Sequence, residues 1–235
     1  MKVDWMDIAG RVVFEDNHLL VVNKLPGEIV QGDKTGDVPL LDKLKAYIAQ
    51  VYQKPGAVFL GLVHRLDRPV SGLVIFARTS KALARMNALM RDHALEKRYW
   101  AITAKVPPNA EGQLEHWLIK NEKLNKSRPV SPGTPGARLA RLKYKLLASA
   151  DRYHLVEIEL LTGRHHQIRV QLAAMGCPIK GDLKYGYPRS NPDGSIHLHA
   201  RELAFSHPVR QEPLRILAVP PTADKLWRWA SEIDL

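Results

Sequence analysis

The stretch GLVHRLDRPVSGLVIFAR, from Gly61 to Arg78, carries the most informative pattern in this chain. Its apolar, β-favouring ends predict a strand, a turn and a second strand, with one carboxylate, Asp67, in the turn between Arg65 and Arg68. Such a turn can expose a side chain and still hold it rigidly. Opposite charges nearby keep a carboxylate ionised, so Asp67 is suited to act as a nucleophile, an electrostatic stabiliser or a base. The alternative interpretation is an ordinary Asp–Arg salt bridge in a turn.

The charge balance of the whole chain indicates an anionic partner. Lys and Arg total 35 against 24 acidic residues, which gives a net charge of +11 with the histidines neutral. Nucleic acid is the first candidate partner, while an acidic metabolite or an anionic membrane surface would also fit. With 235 residues, 45% of them hydrophobic, the chain is expected to close a core and fold alone.

Cysteine usage and the N-terminal sequence bear on the compartment. Cys177 is the only cysteine, so the chain can form no internal disulfide and no Cys-rich zinc site. The first residues, MKVDWMDIAG, place Asp4 and Asp7 where a signal peptide needs a continuous apolar segment. No later apolar run reaches the length of a membrane span. We therefore expect a cytoplasmic protein that does not associate with a membrane.

Hydrophobic periodicity and turn residues predict mixed strands and helices. We interpret the chain as one α+β domain over residues 1–235, built on a mixed, mainly antiparallel β-sheet with flanking helices. The predicted elements are a hairpin from Arg11 to Lys24, a helix after an Asp37 N-cap, the two strands around Asp67, a helix from Thr79, a strand containing Tyr99, two strands around a turn at residues 149–152, a helix opening in TGRHHQIR and ending at Gly176, two strands in HLHARELAFSHP and EPLRILAVP, and a short C-terminal helix.

The segment from Asn121 to Arg141 is rich in basic residues, Pro and Gly and shows no periodicity. This composition predicts one long loop. Long loops in compact domains are often functional, so the segment is interpreted either as an RNA-facing loop or as a solvated one.

Two further places could carry chemistry. Arg169 falls in the first turns of the helix that opens in TGRHHQIR, on the same side as His165, and the turn Thr162–Arg164 could cradle a phosphate on helix-terminal amides. Tyr99 follows two cations, Lys97 and Arg98, and could stack on a base. The alternatives are a solvated charge for Arg169 and a core tyrosine for Tyr99.

The histidines suggest a rival function. The spacing His197-x-His199 in a strand places two imidazoles on one face, as in some metal sites, and Glu202 is the nearest acid after them. A metal-dependent phosphoesterase is therefore a competing hypothesis. The sequence contains no P-loop, Rossmann glycine fingerprint or nucleophile elbow.

Taken together, HRLDRPVSGL at residues 64–73 and TGRHHQIR at 162–169 resemble the RluA family of pseudouridine synthases. The resemblance extends in order through VVNKLPG, KRYWA, GCPIKGDLKYG and LHARELAFSHP, so it covers most of the chain. It implies an enzyme that isomerises uridine to pseudouridine in RNA without a cofactor or a metal. Many members of that family carry an N-terminal S4 RNA-binding domain, whereas here the catalytic core starts within the first dozen residues, so we expect a core without that domain. We expect it to act as a monomer on a tRNA or rRNA stem-loop.

The resemblance implies a role for several residues. Asp67 would be the nucleophile, attacking either the uracil ring or the ribose C1′, and Arg169 its salt-bridge partner. Tyr99 would stack on the target base and assist proton removal from C5, and Arg65 would enter the RNA stack in place of the flipped uridine. The other residues expected to bind substrate are His64, Arg68, Arg164 and His166. The alternative from another class is a non-catalytic RNA-binding or RNA-folding factor on the same fold.

Overall fold

A computed structural model describes residues 5–233 of the chain. Helices and mainly antiparallel strands are mixed along it, which confirms the predicted α+β class. The strands are β1 Val12–Glu15, β2 Leu19–Lys24, β3 Gly61–Leu62, β4 Ser71–Ala77, β5 Glu96–Thr103, β6 Glu111–Asn121, β7 Lys126–Val130, β8 Arg138–Ser149, β9 His154–Leu160, β10 Leu198–Ser206 and β11 Pro213–Leu217. The helices are α1 Trp5–Ala9, α2 Leu40–Val51, α3 Ser80–Arg91, α4 Gln167–Ala174 and α5 Lys225–Ser231, with a 3₁₀ turn at Leu183–Tyr185.

The chain divides into two compact units. The first runs to Leu95 and includes Glu202–Val219, and the second comprises Glu96–Arg201 and the residues from Pro220 onward. The interpretation as one domain over residues 1–235 stays a prediction. Asp4, which entered the signal-peptide argument, lies outside the described residues. No helix among residues 5–233 is long and apolar enough to cross a membrane.

The first unit is built on β2 and β4, which pair antiparallel with Leu20 opposite Phe76. All residues of β4 are buried, as expected for a central strand covered on both faces. Its core includes Leu73 and Ile75 from β4 and Met86 from α3. The predicted hairpin from Arg11 to Lys24 is confirmed as β1 and β2.

The second unit contains an antiparallel sheet in the order β5-β9-β8-β6-β7. Trp100 and Ile102 of β5 pack with Trp227 and Ala230 of α5. Because β5 alternates its side chains between two faces, Tyr99 lies on the face opposite to Trp100. This alternation sets the surroundings of Tyr99 described below.

Two predicted helix starts have different outcomes. Thr79 caps α3 as predicted, since its hydroxyl accepts a hydrogen bond from the N–H of Ala82 at 3.1 Å. Asp37 does not cap α2, which begins after Pro39. The Asp37 carboxylate instead pairs with the Arg68 guanidinium at 2.5 Å. Pro39 is compatible with the N-cap position, because no intrahelical hydrogen bond there requires the N–H that proline lacks.

The prediction of one long loop from Asn121 to Arg141 is wrong. Residues 126–130 form β7, which pairs with β6 around a turn in which Asn121 Oδ1 accepts a hydrogen bond from Leu124 N at 3.0 Å. Strand β8 then begins at Arg138. Because β7 lies at the end of the strand order, it tolerates Pro129, which has no N–H to donate to a further strand. Proline normally argues against a strand, and this is why the sequence did not predict β7.

The helix predicted to open within TGRHHQIR is confirmed, whereas the placement of His165 on that helix is wrong. Helix α4 begins at Gln167, and its N-cap, His166, adopts a left-handed conformation with φ of 53°. His165 therefore precedes the helix, and it does not share a helical side with Arg169. A left-handed conformation is uncommon for a residue other than glycine. The side chain of His166 also makes a hydrogen bond to Tyr185, which is described below.

Candidate active site

In the first unit, Asp67 lies in the connection from β3 to β4, as predicted. The N–H of Val70 donates to the carbonyl of Asp67 at 3.1 Å and closes the turn. Leu66 and Val70 are buried, whereas Asp67 is half-buried and Arg65 is exposed. The buried neighbours fix the backbone, so the carboxylate of Asp67 is presented from a rigid turn.

The backbone of this turn is also hydrogen-bonded to the segment that contains Lys24 and Gly27. The carbonyl of Arg68 accepts hydrogen bonds from the N–H of Gly27 at 2.8 Å and from the ammonium of Lys24 at 3.2 Å. The guanidinium of Arg68 is about half exposed and pairs with Asp37. Arg68 thus supports the Asp67 turn through its backbone, which the sequence does not reveal.

Lys24 is a functional candidate that sequence reasoning missed. Its side chain is fully buried, and its Nζ donates to the carbonyl of Leu25 at 2.8 Å. Burial lowers the pKa of Lys24 to about 7, although the carboxylates of Glu28 and Asp67 oppose that shift. The signal available in the sequence was a lysine at the end of β2, separated from the apolar run by Asn23, in VVNKLPG.

His64 lies on the same connection, between β3 and Asp67. Its Nε2 accepts a hydrogen bond from the backbone N–H of Ile75 at 3.3 Å. The ring therefore extends the pairing between β3 and β4. Substrate binding by His64 stays a prediction.

In the second unit, Tyr99 lies on β5 opposite Ile158 of β9 and is 7% exposed. Only one of the two preceding cations shares its face, because side chains alternate along a strand. Lys97 lies on that face and is buried, which lowers its pKa. Arg98 lies on the other face and pairs with Glu157 at 3.2 Å.

Arg169 is a buried residue of α4, and its nearest described partner is an acid that sequence reasoning did not single out. Its Nε and Nη2 donate to the two carboxylate oxygens of Asp182 at 2.7 and 2.8 Å. The side chain of Arg169 is 6% exposed and that of Asp182 is 1% exposed. The solvated-charge interpretation of Arg169 is therefore wrong.

His166 joins this buried cluster through Tyr185. The Tyr185 hydroxyl accepts a hydrogen bond from the N–H of Ser127 at 2.9 Å, and it lies 2.9 Å from His166 Nδ1. His166 Nδ1 and the Tyr185 hydroxyl therefore share a hydrogen bond, which ties the buried imidazole ring to the 3₁₀ turn. Burial, reinforced by the charge of Arg169, lowers the pKa of His166 to about 2.

The residues before α4 are held by protein groups. The N–H of Arg164 donates to Gln167 Oε1 at 3.0 Å, so this amide is not directed at a phosphate. The Nε of Arg164 donates to the carbonyl of Leu139 at 2.9 Å. His165 stacks on His166 with ring centroids 3.8 Å apart. The proposed phosphate cradle at Thr162–Arg164 is therefore not supported.

The histidines behind the rival metal hypothesis pack against α5. His197 Nδ1 lies 3.0 Å from Asn191 Nδ2, and His197 Nε2 lies 3.0 Å from Asp224 Oδ1. His199 is fully buried and tilted against the ring of Trp227. No cluster of three metal-binding side chains occurs among the residues that the structure describes.

The buried neutral state of His166 predicts a loss of stability in acid. Its pKa is lower in the folded chain than its ordinary value of 6.5, so below that pH the unfolded chain binds more protons and the free energy of unfolding falls. Because this proton is taken up only on unfolding, the free energy of unfolding falls by about 1.4 kcal/mol for each pH unit below the ordinary pKa. At about pH 5 the loss amounts to about 1–2 kcal/mol. The free energy of unfolding of His166→Asn, measured with urea between about pH 6.5 and 5, should fall less steeply with decreasing pH than that of wild type. The difference in slope should correspond to about one proton.

The matched control for this prediction is His93→Asn. His93 is exposed and also left-handed, with φ of 56°, and Asn tolerates that conformation at either position. The control should keep the wild-type slope. An unchanged slope in His166→Asn would contradict the buried neutral state of His166.

Comparison with known proteins places these residues in a family context. A model described as RNA pseudouridylate synthase matches residues 18–174, a range that includes both quoted motifs. The chain is 33% identical over 219 residues to ribosomal large subunit pseudouridine synthase C of Vibrio vulnificus, covering 90% of this chain and 66% of that protein. It is 34% identical over 215 residues to the uncharacterized RNA pseudouridine synthase YhcT of Bacillus subtilis, covering 91% of this chain and 69% of that protein. The chain spans about two thirds of the length of these relatives.

A solved structure extends the likeness to the fold. The chain superposes on human RNA Pseudouridylate Synthase Domain Containing 4 with a TM-score of 0.81 and 24% identity, over 98% of this chain and 96% of that one. At this identity the likeness shows a shared fold.

Proposed function

This chain belongs to the RNA pseudouridylate synthase family, in its RluA type, and from this premise we propose that it isomerises specific uridines in RNA to pseudouridine. The observation that carries the proposal is the placement of Asp67. The motif HRLDRPVSGL holds its carboxylate on a rigid, half-buried turn, where it interacts electrostatically with the buried side chain of Lys24. A preorganised carboxylate of this kind suits nucleophilic catalysis without a cofactor.

The proposed reaction conserves atoms and electrons. The N1–C1′ glycosidic bond breaks, the uracil turns, a C5–C1′ bond forms, and the proton lost from C5 is balanced by one gained at N1. Asp67 acts as the nucleophile, on the uracil ring or on C1′, and both routes require its ionised form. No oxidant, metal or nucleotide is needed.

The other family motifs supply the remaining roles in this proposal. Arg169 provides the counter-charge to Asp67, and Tyr99 stacks on the target base and assists removal of the C5 proton. Arg65, whose side chain is exposed, takes the place of the flipped uridine in the RNA stack. Flipping costs a few kcal/mol, which stacking and phosphate contacts offset.

We further propose that the target is a structured RNA, either an rRNA hairpin or a tRNA arm, met in the cytoplasm by a monomer. The name of the relative from Vibrio vulnificus, which refers to the large ribosomal subunit, favours rRNA. Unpaired loops also lower the cost of extruding a base. A map of pseudouridine across all RNA, in cells with and without this protein, would identify the site.

Tritium release tests the proposed function directly. Transcripts of large-subunit rRNA and bulk tRNA, labelled at uridine C5, should release tritium when incubated with the protein, because the new C–C bond replaces the C5–H bond. Binding without release would favour the non-catalytic RNA-binding factor. Chelator-sensitive hydrolysis of phosphoester bonds without tritium release would instead favour the metal-dependent phosphoesterase.

The basic β6–β7 hairpin and the start of β8 lead to a prediction about RNA binding. Lys123, Arg128 and Arg138 are exposed there, so we expect them to neutralise phosphates. Replacing all three with Ala should make the slope of log affinity against log salt shallower by about 2, at about 0.7 per contact on single strands. The measurement is RNA binding by fluorescence anisotropy between about 50 and 200 mM salt.

The matched control makes the same change in charge elsewhere. Lys54, Lys81 and Arg91 are exposed in the first unit, and their replacement with Ala should leave most of the slope intact. Equal effects from the two triple variants would show a diffuse charge effect and contradict a defined contact at the hairpin.

A further inference from the structure

Asp182 lies outside the roles assigned so far, although it makes the most buried ion pair described in the second unit. We propose that Asp182 is a positioning residue that orients the guanidinium of Arg169 for the reaction. The inference rests on the proposed function, because it assigns to Arg169 the counter-charge in that reaction.

The geometry of the pair determines the plane of the guanidinium. A guanidinium offers two edges for paired hydrogen bonds, and Asp182 occupies the one formed by Nε and Nη2, at 2.7 and 2.8 Å. Two parallel hydrogen bonds prevent rotation about the last bond of the side chain. The edge formed by Nη1 and Nη2 is consequently aimed in one direction, and it is the edge through which a second carboxylate can pair with Arg169.

Tyr185 restrains the same group from its face. The guanidinium carbon of Arg169 lies 5.1 Å from the centre of the Tyr185 ring, within the range of a cation–π contact. The ring is itself held at its hydroxyl by Ser127 and His166. Arg169 is thus restrained at one edge by a carboxylate and at one face by an aromatic ring.

One short segment supplies both restraints. Asp182 directly precedes the 3₁₀ turn that contains Tyr185, and its carbonyl accepts hydrogen bonds from the N–H groups of Tyr185 at 3.1 Å and Tyr187 at 3.0 Å. The carboxylate and the ring therefore move together. The segment belongs to the motif GCPIKGDLKYG, so in this proposal the motif serves to support Arg169.

The charge of Asp182 matters as well as its geometry. A buried guanidinium without a partner would be energetically costly. It would pair with any nearby carboxylate, whatever the orientation of that carboxylate. Asp182 compensates the charge of Arg169 inside the fold. The orientation of the reacting carboxylate is then set by the scaffold rather than by the strongest local attraction.

The first test separates orientation from charge with two substitutions. Asp182→Asn removes the charge and one acceptor, and Asp182→Glu keeps the charge but moves the carboxylate by one methylene. We expect the single-turnover rate of pseudouridine formation at saturating RNA to fall about 100-fold in Asp182→Asn and at least about tenfold in Asp182→Glu. RNA affinity should stay within about threefold of wild type, because phosphate contacts supply most of the affinity and the side chain of Asp182 is only 1% exposed.

The matched control is Glu202→Gln, in which Glu202 forms a similar two-bond pair with Arg215 at 2.9 and 2.8 Å. It should keep a rate within about threefold of wild type. A wild-type rate in both folded Asp182 variants would overturn the inference. Wild-type protein that releases no tritium would overturn the proposed function, and the inference with it.

A second test does not depend on the folding of Asp182→Asn. Arg169→Met combined with Asp182→Leu removes both buried charges, and such apolar replacements of a buried pair are usually tolerated by the fold. Its single-turnover rate should match that of Arg169→Met alone within about threefold, because the group that Asp182 orients is already absent. A further loss of tenfold or more would show that Asp182 acts on another group and would overturn the inference.

Discussion

Replacing Asp67 with Asn is expected to reduce pseudouridine formation by at least about 10⁴-fold. Asn is nearly isosteric with Asp, but its amide is not a nucleophile. The turn should persist, because it is closed through the backbone of Asp67 and Val70 and pinned by the buried side chain of Leu66. The measurement is tritium release from RNA labelled at uridine C5, under single-turnover conditions.

Binding measurements give this prediction its control. RNA affinity of Asp67→Asn should stay within about tenfold of wild type, since phosphate contacts supply most of the affinity. Asp92→Asn makes the same chemical change at an exposed position after α3 and should keep normal turnover. Measurable product from Asp67→Asn at more than a trace level would show that another group is the nucleophile.

Arg169→Ala is expected to abolish most turnover and also to destabilise the fold. A solvated charge, the alternative that the sequence left open for Arg169, could be removed with little effect on the fold. The structure changes that expectation, because Asp182 is 1% exposed and would lose its two hydrogen bonds from Arg169. Breaking a buried ion pair from one side costs about 3–5 kcal/mol. For a chain of this length that corresponds to a melting temperature lower by about 10 °C.

Thermal unfolding and single-turnover kinetics together check this prediction. Combining Arg169→Met with Asp182→Leu should recover most of the lost melting temperature without recovering turnover, because the buried charges are removed together. Near-normal turnover in folded Arg169→Ala would refute its role as the counter-charge of Asp67. An unchanged melting temperature would refute the energetic importance of the pair with Asp182.

Local sequence patterns were sufficient for most of the secondary structure. The turn at Asp67 follows from apolar runs on both sides, and the cap at Thr79 follows from a hydroxyl placed before an apolar helical repeat. These features depend on hydrogen bonds and periodicity within a few residues. The same local information is misleading at β7, where Pro129 and several charges belong to a strand that lies at the end of the strand order.

The candidate site was only partly accessible from the sequence. Its motifs pointed to Asp67, Tyr99 and Arg169 as candidates through the family resemblance. Neither the resemblance nor local pattern indicated that Lys24 supports the Asp67 turn or that Asp182 holds Arg169. Both supporting residues are charged, and in a sequence a buried charge looks the same as an exposed one.

The sequence by itself determined the α+β class and the family and pointed to Asp67 as the proposed nucleophile, because each depends on residue type and local order. The tertiary structure decided which charges are buried, where α4 begins and which partner each charged group takes. Asp182 lies 13 positions after Arg169, and Ser127 lies 58 positions before Tyr185. Such contacts form only when packing brings distant segments together and excludes water. Their strength comes from that exclusion, since a buried charge needs a partner that an exposed charge can do without.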